Sequence, residues 1–191
     1  MRSRYLLCGL RFRISPSAFF QVNSEQTEIL YHKAIEAAGL TGKERVIDAY
    51  CGTGTIGLCA AAGAREVVGV ELNPEATRDA IQNAKQTGVR NIRFVNEDAS
   101  DYMIRMAGDR EKVDVVIMDP PRSGSTKEFI ESCAKLDPDR VVYISCNPDT
   151  LVRDVKDFIK CGYKPVKVIP ADMFPWSEDV ECVVLLQRTD T

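Results

Sequence analysis

A cysteine stands at the end of an apolar run, where α/β proteins often place reactive groups. Residues 142–148 read Val-Tyr-Ile-Ser-Cys-Asn-Pro, so Cys146 follows the run and directly precedes a turn. Ligands bind at this edge of an open parallel sheet. A thiol there can act as a nucleophile once it is deprotonated. Core packing is the alternative for a cysteine ending a buried strand, so Cys146 is a candidate nucleophile.

A glycine-rich loop follows the first predicted strand, in the sequence Asp-Ala-Tyr-Cys-Gly-Thr-Gly-Thr-Ile-Gly at 48–57. Gly52, Gly54 and Gly57 match the dinucleotide-binding fingerprint. Glu71 ends the second predicted strand, where it could accept from the ribose hydroxyls of NAD or of S-adenosylmethionine. Asp48 favours the second cofactor, because a carboxylate repels a pyrophosphate and attracts a sulfonium. The loop therefore predicts S-adenosylmethionine, with a ligand-free turn as the alternative.

Three further acidic positions lie at predicted strand ends. Asp98 follows the third strand and could either accept from an adenine amino group or cap the next helix. Asp119 begins an Asp-Pro-Pro-Arg segment, whose prolines predict a rigid wall between a cofactor and a planar substrate. Glu181 precedes an apolar strand, where a carboxylate can act as a base or lie in solvent.

Alternation of apolar runs with amphipathic stretches predicts an α/β fold with a mostly parallel seven-stranded sheet and helices on both faces. The predicted strands are 46–48, 66–71, 92–95, 113–118, 140–145, 164–170 and 180–187. The predicted helices are 24–38, 56–62, 74–87, 99–107, 126–135 and 149–160. The last two strands are too close in sequence for a helical crossover, so the final strand is predicted to be antiparallel. One domain, 1–191, is expected, with 1–40 as an N-terminal segment and helix packed on it.

Composition limits the class of protein. The chain has 191 residues, a net charge of −3 and a pI near 5.3, which argues against nucleic-acid binding by this chain alone. No apolar run is long enough for a bilayer, and the N-terminus does not read as a signal peptide, so no membrane partner is expected. Seven cysteines without a CxxC spacing and a single histidine, His32, predict reduced thiols in the cytoplasm and no metal in this domain.

Five segments, taken in order, resemble the catalytic domain of the RNA uracil-5-methyltransferases, which make 5-methyluridine in tRNA and ribosomal RNA. They are Ser-Pro-Ser-Ala-Phe-Phe-Gln-Val-Asn at 15–23, the glycine loop at 48–57, Asp-Pro-Pro-Arg at 119–122, Ser-Cys-Asn-Pro at 145–148, and 173–181. The resemblance implies a Rossmann-like class I methyltransferase fold, S-adenosylmethionine as cofactor and a uridine in tRNA or rRNA as substrate. It implies cofactor contacts from Gln21, Tyr50, Thr55, Glu71, Asp98 and Asp119.

The resemblance also implies roles for two catalytic residues. The Cys146 thiolate would add to uracil C6 and make C5 nucleophilic, and Glu181 would remove the C5 proton after methylation. Family members usually carry histidines before this glutamate, whereas residues 176–179 here are Trp-Ser-Glu-Asp. Full-length members have an RNA-binding barrel, and many have an iron–sulfur region. Neither is found in this sequence, so we expect a catalytic domain alone with weak RNA binding.

Other functions remain open at this point. Methylation of cytosine C5 usually places a cysteine directly after the proline of the Asp-Pro-Pro segment, but Arg122 follows Pro121 here. Methylation of an exocyclic amine would not need Cys146. A cofactor-binding module without catalysis would need neither Cys146 nor Glu181, and NAD-linked chemistry would require NAD to bind more tightly than S-adenosylmethionine.

Overall fold

A twisted seven-stranded sheet forms the centre of the molecule in the computed structural model, which describes residues 3–14, 23–173, 177 and 180–189. The strands are β1 (Ser3–Leu7), β2 (Leu10–Ile14), β3 (Arg45–Ala49), β4 (Glu66–Glu71), β5 (Ile92–Asn96), β6 (Val115–Met118), β7 (Arg140–Ser145), β8 (Tyr163–Ala171) and β9 (Glu181–Arg188). The helices are α1 (Ser24–Ala38), α2 (Thr55–Ala60, continued by a 3₁₀ turn at Ala61–Gly63), α3 (Pro74–Thr87), α4 (Ala99–Gly108), α5 (Lys127–Leu136) and α6 (Pro148–Lys160).

The strand order of the main sheet is β5-β4-β3-β6-β7-β9-β8. Strands β3 to β7 pair in parallel, whereas β9 lies between β7 and β8 and runs antiparallel to both. The predicted mostly parallel sheet with an antiparallel last strand is confirmed. The short connection between β8 and β9 allows only this reversal of direction, as a parallel crossover needs about a dozen residues or more.

Helices cover both faces of the sheet, and each face has its own apolar core. Along β7, Val141 and Tyr143 point into the core beneath α4, α5 and α6, and Val142 and Ile144 point into the core beneath α1 and α2. This alternation follows from the period of two of a β-strand. All four side chains are fully buried. The sheet is therefore held rigidly from both sides, so the ends of its strands occupy fixed positions.

Helix ends fall where capping residues stand. Asn23 accepts at Oδ1 from the Gln26 N–H at the start of α1, and Gly39 ends this helix with a φ of 58°. Pro148 is the first residue of α6, one position earlier than predicted, and Asn147 is its cap. Within the described residues, none of the helices is long and apolar enough to cross a bilayer.

An N-terminal hairpin adds a second, two-stranded sheet that the sequence pattern did not indicate. Strands β1 and β2 pair antiparallel through a turn at Cys8 and Gly9, both with positive φ (49° and 75°). Leu7 and Phe12 are fully buried in the core beneath α1. The Arg13 N–H donates to Asn83 Oδ1 of α3 at 2.7 Å. The hairpin is therefore packed on the main body, and its arginine-rich strands explain why it lacked a clear apolar signal.

Candidate active site

A cavity of about 650 Å³ opens at the edge of the sheet where the parallel strands end. Its walls come from the loops after β3, β4, β6 and β7, from the start of β9 and from Tyr31 of α1. Six of the predicted catalytic and cofactor-contact residues line it: Tyr50, Thr55, Glu71, Asp119, Cys146 and Glu181. The structure thus brings together both predicted catalytic residues and four of the predicted cofactor contacts.

Two predicted cofactor contacts are not part of this arrangement. Gln21 lies outside the described residues. Asp98 is described but is not among the lining residues. Its Oδ1 accepts from the N–H groups of Ser100 and Asp101 at 2.8 and 3.2 Å, so it caps α4. The capping alternative is therefore observed for Asp98, and its contact with a cofactor stays a prediction.

The glycine loop can pass close to the sheet because two positions have no room for a side chain. Gly54 has a φ of 77°, and a Cβ there would lie 2.6 Å from Cζ of Phe94. A Cβ on Gly57 would lie 2.6 Å from Oδ2 of Asp48. Tyr50 adopts a φ of 62° without being glycine, which is uncommon and occurs where surroundings fix the backbone. This loop conformation exposes backbone groups to the cavity.

Glu71 ties the glycine loop to the loop that follows β4. Its Oε2 accepts from the Gly52 N–H at 2.8 Å, and its Oε1 accepts from the Asn73 N–H at 2.7 Å. Each carboxylate oxygen can accept a second hydrogen bond. Glu71 therefore has the position and the remaining acceptor capacity to bind a pair of ribose hydroxyls.

Asp48 lies behind the loop and is fully buried. Its Oδ2 accepts from the Gly57 N–H at 2.8 Å, whereas its Oδ1 has no hydrogen-bond partner among the described residues. Burial raises the pKa of Asp48 to about 7, an effect that the Gly57 hydrogen bond opposes and the charge of Glu71 reinforces. A buried carboxylate of this kind is stabilised in its charged form by a nearby cation.

Acidic groups dominate the cavity. Glu71, Asp119 and Glu181 line it together with the cationic Arg122. Burial raises the pKa of Asp119 to about 8, and the charges of Glu181 and Asp48 add to this effect. An excess of carboxylates favours a cationic ligand over a pyrophosphate, because like charges at close range are costly. The cavity therefore fits a sulfonium cofactor better than NAD.

A buried polar network positions the Tyr50 ring. Tyr50 Oη lies 3.1 Å from Ser125 Oγ, and the Ser125 N–H donates to Asp154 Oδ2 at 2.7 Å. The hydroxyl of Tyr143 donates to the same Asp154 oxygen at 2.6 Å. The Tyr50 ring also packs on Phe129, with centroids 5.5 Å apart. These supporting residues were missed because Asp154 resembles any polar residue of an amphipathic helix.

Cys146 and Glu181 occupy neighbouring positions at the ends of two paired strands. Ser145, the last residue of β7, pairs with Cys182 of β9, so the residues next to this pair are Cys146 and Glu181. Glu181 is only 3% exposed. Burial raises the pKa of Cys146, the charges of Glu181 and Asp119 raise it further, and Arg122 opposes them. With these neighbours alone the thiol form is favoured over the thiolate.

Hydrogen bonds join the loop carrying Cys146 to the Asp-Pro-Pro-Arg loop. Asn147 Nδ2 and Thr150 Oγ1 both donate to the backbone carbonyl of Arg122, at 3.0 and 3.2 Å. Pro120 and Pro121 line the cavity beside Cys146. The segment that carries the two prolines is thus tied to the loop that carries the thiol, and both line the same cavity.

The strand order and the glycine loop define the fold of the S-adenosylmethionine-dependent methyltransferases. A putative S-adenosylmethionine-dependent methyltransferase from Streptococcus mutans superposes with a TM-score of 0.80 at 13% identity, over 97% of this chain and 55% of that one. The chain belongs to the tRNA (uracil-5-)-methyltransferase family, whose model matches residues 8–189.

Individual relatives agree with this assignment. An uncharacterized RNA methyltransferase from Caldanaerobacter subterraneus subsp. tengcongensis is 51% identical to this chain over 94% of its length. Another, from Lactiplantibacillus plantarum, is 50% identical over 95% of this chain. The chain spans 40% of the length of each. The tRNA (uracil-54, C5)-methyltransferase of Pyrococcus abyssi, solved with S-adenosyl-L-homocysteine, superposes with a TM-score of 0.81 at 33% identity, over 97% of this chain and 44% of that one.

Proposed function

We propose that this chain transfers a methyl group from S-adenosylmethionine to C5 of a uridine in RNA, through a covalent bond between Cys146 and C6. The observation that carries the proposal is the adjacency of Cys146 and Glu181 inside the cavity of the glycine loop. Uracil C5 is a weak nucleophile, so its methylation requires a group that adds at C6 and a base that removes the C5 proton. The cavity supplies one of each.

The proposed covalent chemistry takes place at C5 and C6 of the uracil ring. The Cys146 sulfur bonds to C6, and the electrons of the C5–C6 double bond move toward the C4 carbonyl. C5 would acquire its methyl group from bound S-adenosylmethionine, whose methyl–sulfur bond would break to leave S-adenosylhomocysteine. Glu181 then takes the proton from C5, the C5–C6 double bond forms again, and the Cys146 thiolate leaves. The rigid ends of β7 and β9 hold the two groups on one ring, which is the contribution expected from positioning.

The residues of the cavity fit the cofactor. We assign the ribose hydroxyls to Glu71, whose two oxygens retain acceptor capacity. The acidic lining suits the sulfonium and the amino group, for which we assign Asp119 in the loop after β6. Tyr50 and Thr55 line the same space, and Gln21 and Asp98 remain proposed contacts. A positive charge bound there would also favour the Cys146 thiolate, which its carboxylate neighbours disfavour.

For the substrate we propose a uridine in tRNA or rRNA. The Pyrococcus abyssi neighbour acts on uracil 54 of tRNA, as its name states. The net charge of −3 predicts weak affinity of this chain for an RNA backbone. Assays therefore need RNA at high concentration and low salt.

The proposal is tested by trapping. We would incubate the chain with S-adenosylmethionine and an RNA that contains 5-fluorouridine, and then use denaturing mass spectrometry. Fluorine at C5 cannot leave as a proton, so the enzyme should stall as a methylated protein–RNA adduct. The adduct should be absent from Cys146→Ala, which should still bind S-adenosylmethionine. Methylation that persists in Cys146→Ala would contradict the covalent mechanism and favour an exocyclic amine as the acceptor.

A further inference from the structure

A second cluster of chemically reactive side chains lies on the hairpin and α1, outside the set of residues that line the cavity. It contains Cys8, Glu28 and the only histidine of the chain, His32. One ligand atom from each residue lies within 4.8 Å of the others. The three positions are separate in sequence, and only the folding of the hairpin onto the helix brings the thiol to the other two groups.

The backbone fixes the thiol at this point. Cys8 has a φ of 49° in the turn between β1 and β2, and its N–H donates to Glu28 Oε1 at 3.0 Å. Glu28 and His32 are four residues apart on α1 and therefore share one face. His32 Nε2 lies 3.8 Å from the same Glu28 oxygen. The hydrogen bond from the Cys8 N–H to Glu28 involves only the backbone of residue 8. It does not explain why a thiol and an imidazole stand beside the same carboxylate.

We propose that Cys8, Glu28 and His32 bind one zinc ion. Thiolate, imidazole and carboxylate are the three protein ligand types of Zn²⁺, and three of them with a water form its common open tetrahedral site. Calcium and magnesium prefer oxygen ligands alone, so they fit this set poorly. All three residues are at least partly exposed to solvent, which gives an ion access.

A bound ion would connect parts of the fold that also form the cavity. It would cross-link the hairpin turn to α1, and α1 carries Tyr31, whose hydroxyl lies 3.2 Å from Thr55 Oγ1 at the cavity wall. Because the ion would bind the folded arrangement and not the separated ligands, it should stabilise the native state. In this proposal the ion stabilises the fold, and a water is its fourth ligand. The proposed zinc site is an alternative to the expectation, drawn from the scattered cysteines and the single histidine, that this domain holds no metal.

The experiment uses the whole chain, stripped of metal by a chelator and kept under a phosphine reductant. The reductant is needed because the Cys59 thiol lies against that of Cys8. Zinc affinity and stoichiometry are measured by competition with a chromophoric chelator, and cobalt is used as a spectroscopic probe. We expect one zinc per chain, a higher Tm with zinc, and a thiolate-to-cobalt charge-transfer band with tetrahedral ligand-field intensity.

Two variants and a matched control decide the result. Cys8→Ser and His32→Gln should each weaken zinc binding at least about tenfold, since even the loss of a residue that only orients a metal ligand costs ~10–100-fold. Cys161→Ser removes another partly exposed thiol, at the end of α6, and should bind as the parent does. Equal zinc affinity in the parent, Cys8→Ser and His32→Gln would overturn the proposal, as would the absence of any cobalt charge-transfer band. Both readouts are independent of methyl transfer.

Discussion

The side-chain amide of Asn147 donates a hydrogen bond to the backbone carbonyl of Arg122 at 3.0 Å. Asn147 follows Cys146 in the loop after β7, and Arg122 ends the proline wall after β6. The same side chain accepts at Oδ1 from the Asp149 N–H and so caps α6. Asn147 thus caps α6 and, together with Thr150, ties the loop of Cys146 to the loop that ends at Arg122.

Asn147→Ser separates these two roles. Serine also caps helices well, but it offers no amide to Arg122, so we expect methyl transfer to fall about tenfold or more while the Tm changes little. Thr150→Ala is the partner variant, because it removes the other donor to the Arg122 carbonyl, at 3.2 Å. Single-turnover rates and S-adenosylmethionine affinity should be measured together. A loss confined to cofactor affinity would contradict the positioning role.

Glu181→Gln should separate addition from proton removal. The amide cannot act as a base, and loss of a general base costs about 10²–10⁴ in rate. Because the addition by Cys146 precedes this step, we expect Glu181→Gln to accumulate a covalent adduct with ordinary uridine RNA, visible on a denaturing gel. Glutamine is close in size to the nearly buried glutamate, so the fold should persist. A slow variant without adduct would show that Glu181 acts before or during the addition.

Asp48 predicts a pH dependence of stability with a defined sign. Its pKa is about 7 in the folded chain against an ordinary value of 3.8, so the native state binds this proton more tightly than the unfolded state. The contribution is therefore fully present below the ordinary value and is lost as the pH rises toward about 7, at up to ~1.4 kcal/mol per pH unit.

Asp48→Asn should abolish this part of the dependence. Its amide oxygen can still accept from the Gly57 N–H, which Asp48 binds at 2.8 Å. Relative to the parent, the variant should therefore gain stability as urea denaturation is repeated from about pH 4 to about pH 7. Replacement of the exposed Asp172 by asparagine serves as the control. A difference between Asp48→Asn and the parent that stays constant with pH would contradict a raised pKa at Asp48.

Gly54 in the glycine loop can be compared with Gly88, which ends α3. Both have positive φ, 77° and 74°, but a Cβ on Gly54 would lie 2.6 Å from Phe94, whereas a Cβ on Gly88 would meet no atom of the described residues within 4 Å. Gly88→Ala should cost about 1 kcal/mol from backbone strain alone. Gly54→Ala should cost about 1–3 kcal/mol more, because Phe94 must move, and it should also weaken S-adenosylmethionine binding. Equal losses of stability would show that Phe94 adjusts freely.

The sheet, and the edge of it at which the cavity lies, could be predicted from the sequence because the patterns that indicate strands and their ends are local. Apolar runs predicted the seven main strands, and the short connection before β9 predicted its reversal. Since the carboxyl ends of parallel strands meet at one edge, the groups at those ends, among them Glu71, Asp119 and Cys146, could be placed near one another. Asp98 shows the limit of this argument, because it also follows a strand but caps α4 instead of lining the cavity.

Features that depend on packing between distant elements could not be predicted. Tyr50 is held through Ser125 by Asp154, and these contacts join a loop, a second loop and a helix. Strand β2 carries Arg11 and Arg13 at alternate positions and the hairpin buries only a few residues, so no periodic apolar signal marks it. The proximity of Cys8 to His32 depends on that same hairpin and was equally hidden.

The position of β9 has a consequence for how the protein reaches its active form. β9 follows both β7 and β8 in the chain, yet it lies between them in the sheet. The glycine loop and the strands around it can form first. Glu181 comes to lie beside Cys146 only when β9 pairs with β7, so β8 must not occupy that position. This long-range pairing is expected to form late, because closing it costs chain entropy. Glu181 would therefore join Cys146 only in a late step of folding, after the glycine loop has formed.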